Sequence, residues 1–152
     1  MKQKLPDEMT CMNGQLDDML RGRKFKKMVR GCFESIRREF DIKQVEVEIL
    51  LYLHRYPDAS ASRICSELEL NKGHVSRALL NLCKHGFIVS SVNPSDRRRT
   101  KYDFLEKGKQ FLVEAEAVRT KTLRLMIEGI SEEELKITRI VAQKMLRNME
   151  KL

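Results

Sequence analysis

Residues 68–111 read LELNKGHVSRALLNLCKHGFIVSSVNPSDRRRTKYDFLEKGKQF, and the change of period within this stretch decides the fold. Asn71 is a good N-cap. Behind it Val75, Ala78, Leu79 and Leu82 recur at three- and four-residue steps, the stripe of a helix buried on one side. Lys72, His74, Ser76, Arg77 and Asn81 then largely face away from that stripe. Gly86 sits where a helix C-terminal glycine belongs. Phe87 to Val92 follows as a strand, Asn93 to Arg99 as a loop, and Thr100 to Leu105 as a second strand with Tyr102 and Phe104 on one face.

Toward the N-terminus, Ser60 is placed to cap a short helix, SASRICSEL, buried through Ile64, Cys65 and Leu68. A tight turn at Glu69-Leu70 leads from it to Asn71. Two short helices joined by a tight turn, the second polar on its outer face, predict a helix-turn-helix. The hairpin directly after it is then a wing whose tip is basic.

Further out, Asp41 is the expected cap of a helix running to about His54, with Val45, Ile49, Leu50 and Leu53 inward and Tyr56-Pro57-Asp58 as its stop. From Met12 to Phe40 apolar residues (among them Leu16, Met19, Phe25, Val29, Phe33 and Ile36) recur at helical spacing, as one long amphipathic helix or two in succession. On the C-terminal side Phe111, Leu112, Ala115, Val118, Thr122, Leu125 and Met126 write a long helix from Glu106 to about Gly129. Ser131 and Glu134 form a capping box for a last helix with Leu135, Thr138, Val141, Met145, Met149 and Leu152 on one side. Apolar faces this long at both chain ends exceed what a small winged domain covers, so they predict packing against a second copy. The expected fold class is mainly α with a small β-hairpin wing (α+β): a winged helix-turn-helix with long N- and C-terminal dimerisation helices. Its parts are a leader and dimerisation helix over 1–40, the winged domain over 41–105, and C-terminal dimerisation helices over 106–152.

Charge points the same way. The 152 residues carry a net charge of +8. Between Asn71 and Lys101 seven basic residues (Lys72, Arg77, Lys84, Arg97, Arg98, Arg99 and Lys101) face Asp96 alone, so a fifth of the chain holds three quarters of the net charge. That fifth is the second helix plus the wing, as nucleic-acid binding requires and a merely solvated surface does not. The block RGRKFKKMVR at 21–30 is assigned instead to the polar faces of an amphipathic helix, where it serves solubility.

Other classes find little support. No apolar run approaches the roughly 18 residues a bilayer demands, so no membrane partner is expected. The start MKQKLPDEMT lacks the apolar segment of a secretory signal, and Cys11, Cys32, Cys65 and Cys83 show no paired spacing, so a cytoplasmic protein with free thiols is expected. There is no Gly-rich phosphate loop, nucleophile motif or acidic dyad, hence no enzyme and no cofactor. His54, His74, His85 and Cys83 lack a second ligand pair of structural-zinc spacing, so no metal is assigned. Cys32 and Cys65 fit core positions, whereas Cys11 in the leader and Cys83 beside Lys84 and His85 leave a thiol-regulated alternative open.

The stretch 68–111 also resembles the winged helix-turn-helix of the MarR family of bacterial transcription regulators. Asp96-Arg97-Arg98 matches the family's Asp-x-Arg wing signature. Asn71-Lys72, Val75-Ser76-Arg77, Leu82, Gly86-Phe87-Ile88 and Glu106-Lys107-Gly108 match along the way. Beyond that core, Ile42 to Leu53 and Gly129 to Glu134 fit as well. Three positions depart from the pattern: Leu105 stands where a small polar cap is usual, Lys43 where threonine is frequent, and Gly73 where the family often has a hydroxyl residue.

The resemblance implies a homodimeric DNA-binding regulator, a repressor released by a small-molecule effector acting between the dimerising helices and the winged lobe. It implies double-stranded DNA as partner, with the recognition helix in the major groove, the wing at the flanking minor groove, and a pseudo-palindromic operator whose half-sites lie about one turn, ~34 Å, apart. His74, Ser76, Arg77 and Asn81 would face base edges and Lys72 a phosphate. Gly73 either admits a phosphate close to the backbone or is a tolerated first-turn glycine. In the wing, Asp96 would pair with a neighbouring arginine, Arg98 would enter the minor groove, and Arg97 and Arg99 stay open between phosphate and solvent. The rival from another class is a winged-helix protein-interaction module without sequence-specific DNA binding.

Overall fold

The computed structural model describes residues 22–93 and 96–151, and the side chains of all of these except 23–25, 93 and 96–99. Seven helices and a hairpin follow one another among them: α1 (Arg23–Cys32), α2 (Glu34–Phe40), α3 (Gln44–Arg55), α4 (Ala61–Glu67), α5 (Lys72–Lys84), β1 (Ile88–Asn93), β2 (Asp96–Phe104), α6 (Glu106–Met126) and α7 (Glu132–Met149). This is the mainly α, winged helix-turn-helix class. The chain divides into two compact units, with the boundary within α6 after Val118.

In the first unit the amphipathic N-terminal run resolves into two helices in succession, α1 and α2, with Phe33 between them. Leu16 and Met19, expected to extend α1, and Cys11 lie outside the described residues. Phe33, Ile36 and Phe40 are buried, while Lys26, Lys27 and Arg30 are exposed.

Asp41 is not the cap of α3. It ends α2 in the left-handed region at φ 52°, where its N–H donates to the Arg38 carbonyl (3.4 Å) and that of Ile42 to the Arg37 carbonyl (3.0 Å). Short Asp tolerates this conformation better than most residues. The N-cap of α3 is Lys43. Its ammonium cannot accept a bond, so the cap is made in reverse: the Lys43 N–H donates to Glu46 Oε2 at 2.7 Å.

The helix-turn-helix is α4 and α5. Ser60 Oγ accepts from the Arg63 N–H at 3.3 Å and Asn71 Oδ1 from the His74 N–H at 2.8 Å, so both expected caps form. Between them Glu69 takes φ 52°, and the Leu70 N–H returns to the Cys65 carbonyl at 3.0 Å, closing the turn that swings α5 across α4. Val75, Ala78, Leu79 and Leu82 are the buried stripe of α5. Its end is a Schellman motif: Gly86, at φ +75°, donates to the Cys83 carbonyl (3.1 Å), and Phe87 to that of Leu82 (3.0 Å).

The hairpin departs from the expected strand limits. β2 begins at Asp96 and not at Thr100, and β1 pairs antiparallel with it from Ile88↔Phe104 to Val92↔Thr100, then Asn93↔Asp96. Arg97, Arg98 and Arg99 therefore have no counterparts on β1 and form an irregular bulge within the ladder. The expected turn residues Pro94 and Ser95 lie outside the described residues.

Phe40, Phe87 and Phe111 meet at the centre of this unit, with ring centroids 5.7 to 6.4 Å apart and two of the three pairs edge-to-face. The Leu105 N–H donates to the Phe87 carbonyl at 3.0 Å, which fixes the start of α6 in the absence of a polar cap. Gly108 is buried against that same carbonyl.

In the second unit Gly129, at φ +79°, precedes the capping box. Ser131 Oγ accepts from the Glu134 N–H (3.3 Å), and the Ser131 N–H donates back to Glu134 Oε2 (2.8 Å), which lowers the pKa of that carboxyl. α7 has no buried residue; Ile137, Ile140, Val141, Leu146 and Met149 are all exposed. No helix among the described residues is long and apolar enough to cross a membrane.

A Cβ at Gly108 would overlap the Phe87 carbonyl oxygen and stand 2.9 Å from Phe104 Cδ1. Backbone cannot yield as a flexible side chain can, so Gly108→Ala should destabilise by about 1–3 kcal/mol. Gly31→Ala, with nothing within 4 Å of the added carbon, should instead stabilise by roughly 0.5–1 kcal/mol through helix propensity. Urea unfolding of the two variants checks the contrast.

Candidate nucleic-acid interface

The outer face of α5 follows from its inner one. Opposite the buried stripe, Gly73, Arg77, Leu80 and Lys84 lie on one line at steps of four, three and four residues, and all four are exposed. Lys72, His74 and Ser76 are exposed beside this line. The cap that starts the helix also orients the imidazole. Because Asn71 Oδ1 accepts from the His74 backbone, its Nδ2 is the atom 3.1 Å from His74 Nδ1, and an amide nitrogen only donates. In the neutral ring Nδ1 thus accepts, and the proton sits on Nε2.

Arg77 lies back along the helix, its Nε donating to the Gly73 carbonyl at 3.2 Å. The terminal nitrogens of its guanidinium are not used by that bond. Asn81 is placed differently: it is half-buried, and its Nδ2 donates to Glu46 Oε1 at 3.3 Å. Glu46 itself is only 5% exposed. The amide is thereby committed to α3, a use that competes with contact to a base.

Two grooves flank α5. One, of about 620 Å³, runs between α4, α5 and the hairpin and is lined by Ser62, Ser76, Ser90, Thr100 and Lys72 together with Ala61, Val75, Leu79 and Leu80. Cys65, Cys83 and Tyr102 line its floor. Burial raises the pKa of the Tyr102 phenol, and Cys83 beside it adds to the shift. Cys32, Cys65 and Cys83 are all half-buried free thiols. The second groove, of about 420 Å³, lies on the other side between α3 and α5 and includes Lys43, Glu46, His74, Arg77 and Asn81.

Of the wing, the structure describes the backbone of Asp96 to Arg99 but not their side chains, so the pairing expected of Asp96 lies outside the described residues. Lys101 is already engaged: Asp103 Oδ1 is 2.9 Å from its ammonium and raises its pKa by hydrogen bond and charge, with Asp58 adding to it. One of the seven cations counted in the basic stretch is thus paired. No group of three or more His, Cys, Asp or Glu side chains that could hold a metal occurs among the described residues.

Leu80 is the residue that periodicity passed over. As a leucine in a helix it looks like core, yet it is 66% exposed between Arg77 and Lys84. The signal was available, because a stripe through residues 75, 78, 79 and 82 leaves residue 80 on the far side.

Comparison with known proteins agrees with this geometry. The family model described as MarR family matches residues 42–100. The HTH-type transcriptional regulator BilQ of Clostridioides difficile is 29% identical over 63 residues, which are 41% of this chain and 43% of that protein. The match therefore spans less than half of that relative's length. A crystal structure of a MarR family transcription regulator superposes with a TM-score of 0.73 at 22% identity, covering 95% of this chain and 96% of that one. The MepR–DNA complex of S. aureus gives 0.65 at 21% identity, over 84% and 92%. A MarR/EmrR family regulator from Acinetobacter sp. ADP1 gives 0.69 at 19% identity, over 92% and 99%. These structural likenesses are likenesses of fold, and they extend across nearly the whole chain. Residues 42–100 match the MarR family model, and the fold that holds them is the winged helix-turn-helix fold of these solved structures.

Proposed function

We propose that the protein is a homodimeric, DNA-binding transcriptional regulator that acts as a cytoplasmic repressor and is not an enzyme. The observation that carries this reading is the exposed, largely cationic and polar outer face of α5, with a groove that includes Lys72 and the hydroxyls of Ser62, Ser76, Ser90 and Thr100 between it and a wing that bears three successive arginines. α5 enters the major groove, where Arg77 and Ser76 face base edges and the His74 Nε2–H offers a donor. Lys72 and the hydroxyls of the groove take the sugar-phosphate strand that separates major from minor groove, positioning the protein without specifying sequence. Arg98 reaches the minor groove, where A·T tracts concentrate negative potential. The fold shared with the S. aureus MepR–DNA complex supports this docking.

The second copy is argued from α7. A helix with five large apolar residues exposed and none buried is unusual on a monomer, and burying that face against its twin removes it from water. A dimer brings two α5 helices to one duplex and so favours a pseudo-palindromic operator. A small-molecule effector would act by preferring one spacing of the two lobes, shifting the population by no more than its differential affinity.

Duplexes selected from a random pool and titrated by fluorescence anisotropy at several salt concentrations test the reading. Arg77→Ala should cost roughly 1–3 kcal/mol and relax preference at one base pair per half-site, whereas Arg98→Ala should weaken binding with little change of preferred sequence in the major groove. A protein that retains no duplex even at low salt is not this regulator. In sedimentation equilibrium Val141→Asp should shift dimer to monomer and abolish tight binding to the two-half-site duplex, leaving a weak single-half-site affinity. An unchanged dimer would remove α7 from the interface.

A further inference from the structure

We infer that Leu80 is a specificity-determining residue that reads the C5-methyl group of a thymine in the major groove. The inference rests on the DNA-binding reading and deepens it. Leu80 stands on the outermost line of α5 with Gly73, Arg77 and Lys84, at 66% exposure. It is therefore among the side chains that project furthest from the helix on the face away from the core. It contributes nothing to the buried stripe and, with Ser76, lines the groove between α5 and the hairpin.

Its neighbours decide what it meets. Arg77 and Lys84 flank it along the line, and Ser76 lies one turn back at the edge of that groove. In the groove that Leu80 borders, its apolar neighbours on α5 are buried, Val75 at 0% and Leu79 at 4% exposure, so the apolar surface α5 offers there is little more than one side chain, a poor anchor for an apolar protein partner, which needs a contiguous patch. Against a phosphate it would displace water without replacing its hydrogen bonds. On the floor of the major groove, however, one exposed group is apolar, the thymine methyl, and apolar side chains recognise it by contact. Polar Arg77 and Ser76 can be satisfied by the donors and acceptors of neighbouring base edges, leaving Leu80 to exclude water from the methyl.

Substitution on both partners separates this role from a general one. In the selected operator each thymine is replaced singly by deoxyuridine, which lacks only the methyl, and binding of wild type and Leu80→Ala is compared. Wild type should lose roughly three- to tenfold at one thymine in each half-site, the scale of one or two buried carbon groups. Leu80→Ala should bind thymine and deoxyuridine duplexes alike at that position, with an unchanged thermal midpoint because the residue is exposed. Leu80→Met, which keeps an apolar side chain of similar size, should retain part of the discrimination. Three results overturn the inference: no position sensitive to deoxyuridine, a Leu80→Ala protein that still prefers thymine there, or an equal loss on every duplex. If wild type binds no duplex at all, the DNA-binding reading falls first and this one with it.

Discussion

Phe87 is the point on which the domain turns. The Schellman end of α5 at Gly86 throws its ring into the core, where it meets Phe40 from α2 and Phe111 from α6. Its carbonyl accepts the N–H of Leu105 and lies against Gly108, while Lys107 covers its ring with Nζ 4.4 Å from the centroid. One residue therefore joins the end of α5, the first strand of the wing and the start of α6. The orientation of wing to helix, on which any two-groove contact depends, is set by this junction and not by the hairpin, since an isolated two-stranded ribbon is marginal alone.

What could be foreseen follows from how far apart in sequence the determinants lie. Ser60, Asn71, Gly86 and Ser131 act on amides or carbonyls within four residues, and each does in the structure what its type and position suggested. The stripe through Val75, Ala78, Leu79 and Leu82 is local in the same sense and places the outer face with it. Asp41 misled because a residue that caps well also tolerates the left-handed conformation; which role it takes depends on the Arg37 and Arg38 carbonyls already committed to ending α2. The bulge at Arg97–Arg99 is a property of pairing between strands, and a run of three arginines carries no trace of it. The commitment of Lys101 to Asp103, two positions along the same strand and so on the same face, is local by contrast, and follows once the strand is placed. For the candidate site, the composition of the outer face was legible; the internal obligations of its members were not.

Those obligations are clearest at Asn81 and Glu46. A carboxylate 5% exposed is expensive unless its oxygens are bonded, and Glu46 spends one oxygen on the Lys43 N–H and the other on the Asn81 amide 35 residues away. The first bond starts α3. The second ties that start to the third turn of α5. Truncating Asn81 would leave one oxygen of a buried acid without its partner, so the loss would fall on the docking of the two helices before it fell on any contact with a base. Rotation of α5 about its own axis is resisted by this bond on one side and by Val75 and Leu79 in the core, which keeps Gly73, Arg77, Leu80 and Lys84 directed outward together. Sequence choice in a groove requires side chains held to within a fraction of an ångström of base edges. A buried acid clamped between two helices gives α5 that fixity in a way an apolar contact, tolerant of sliding, would not.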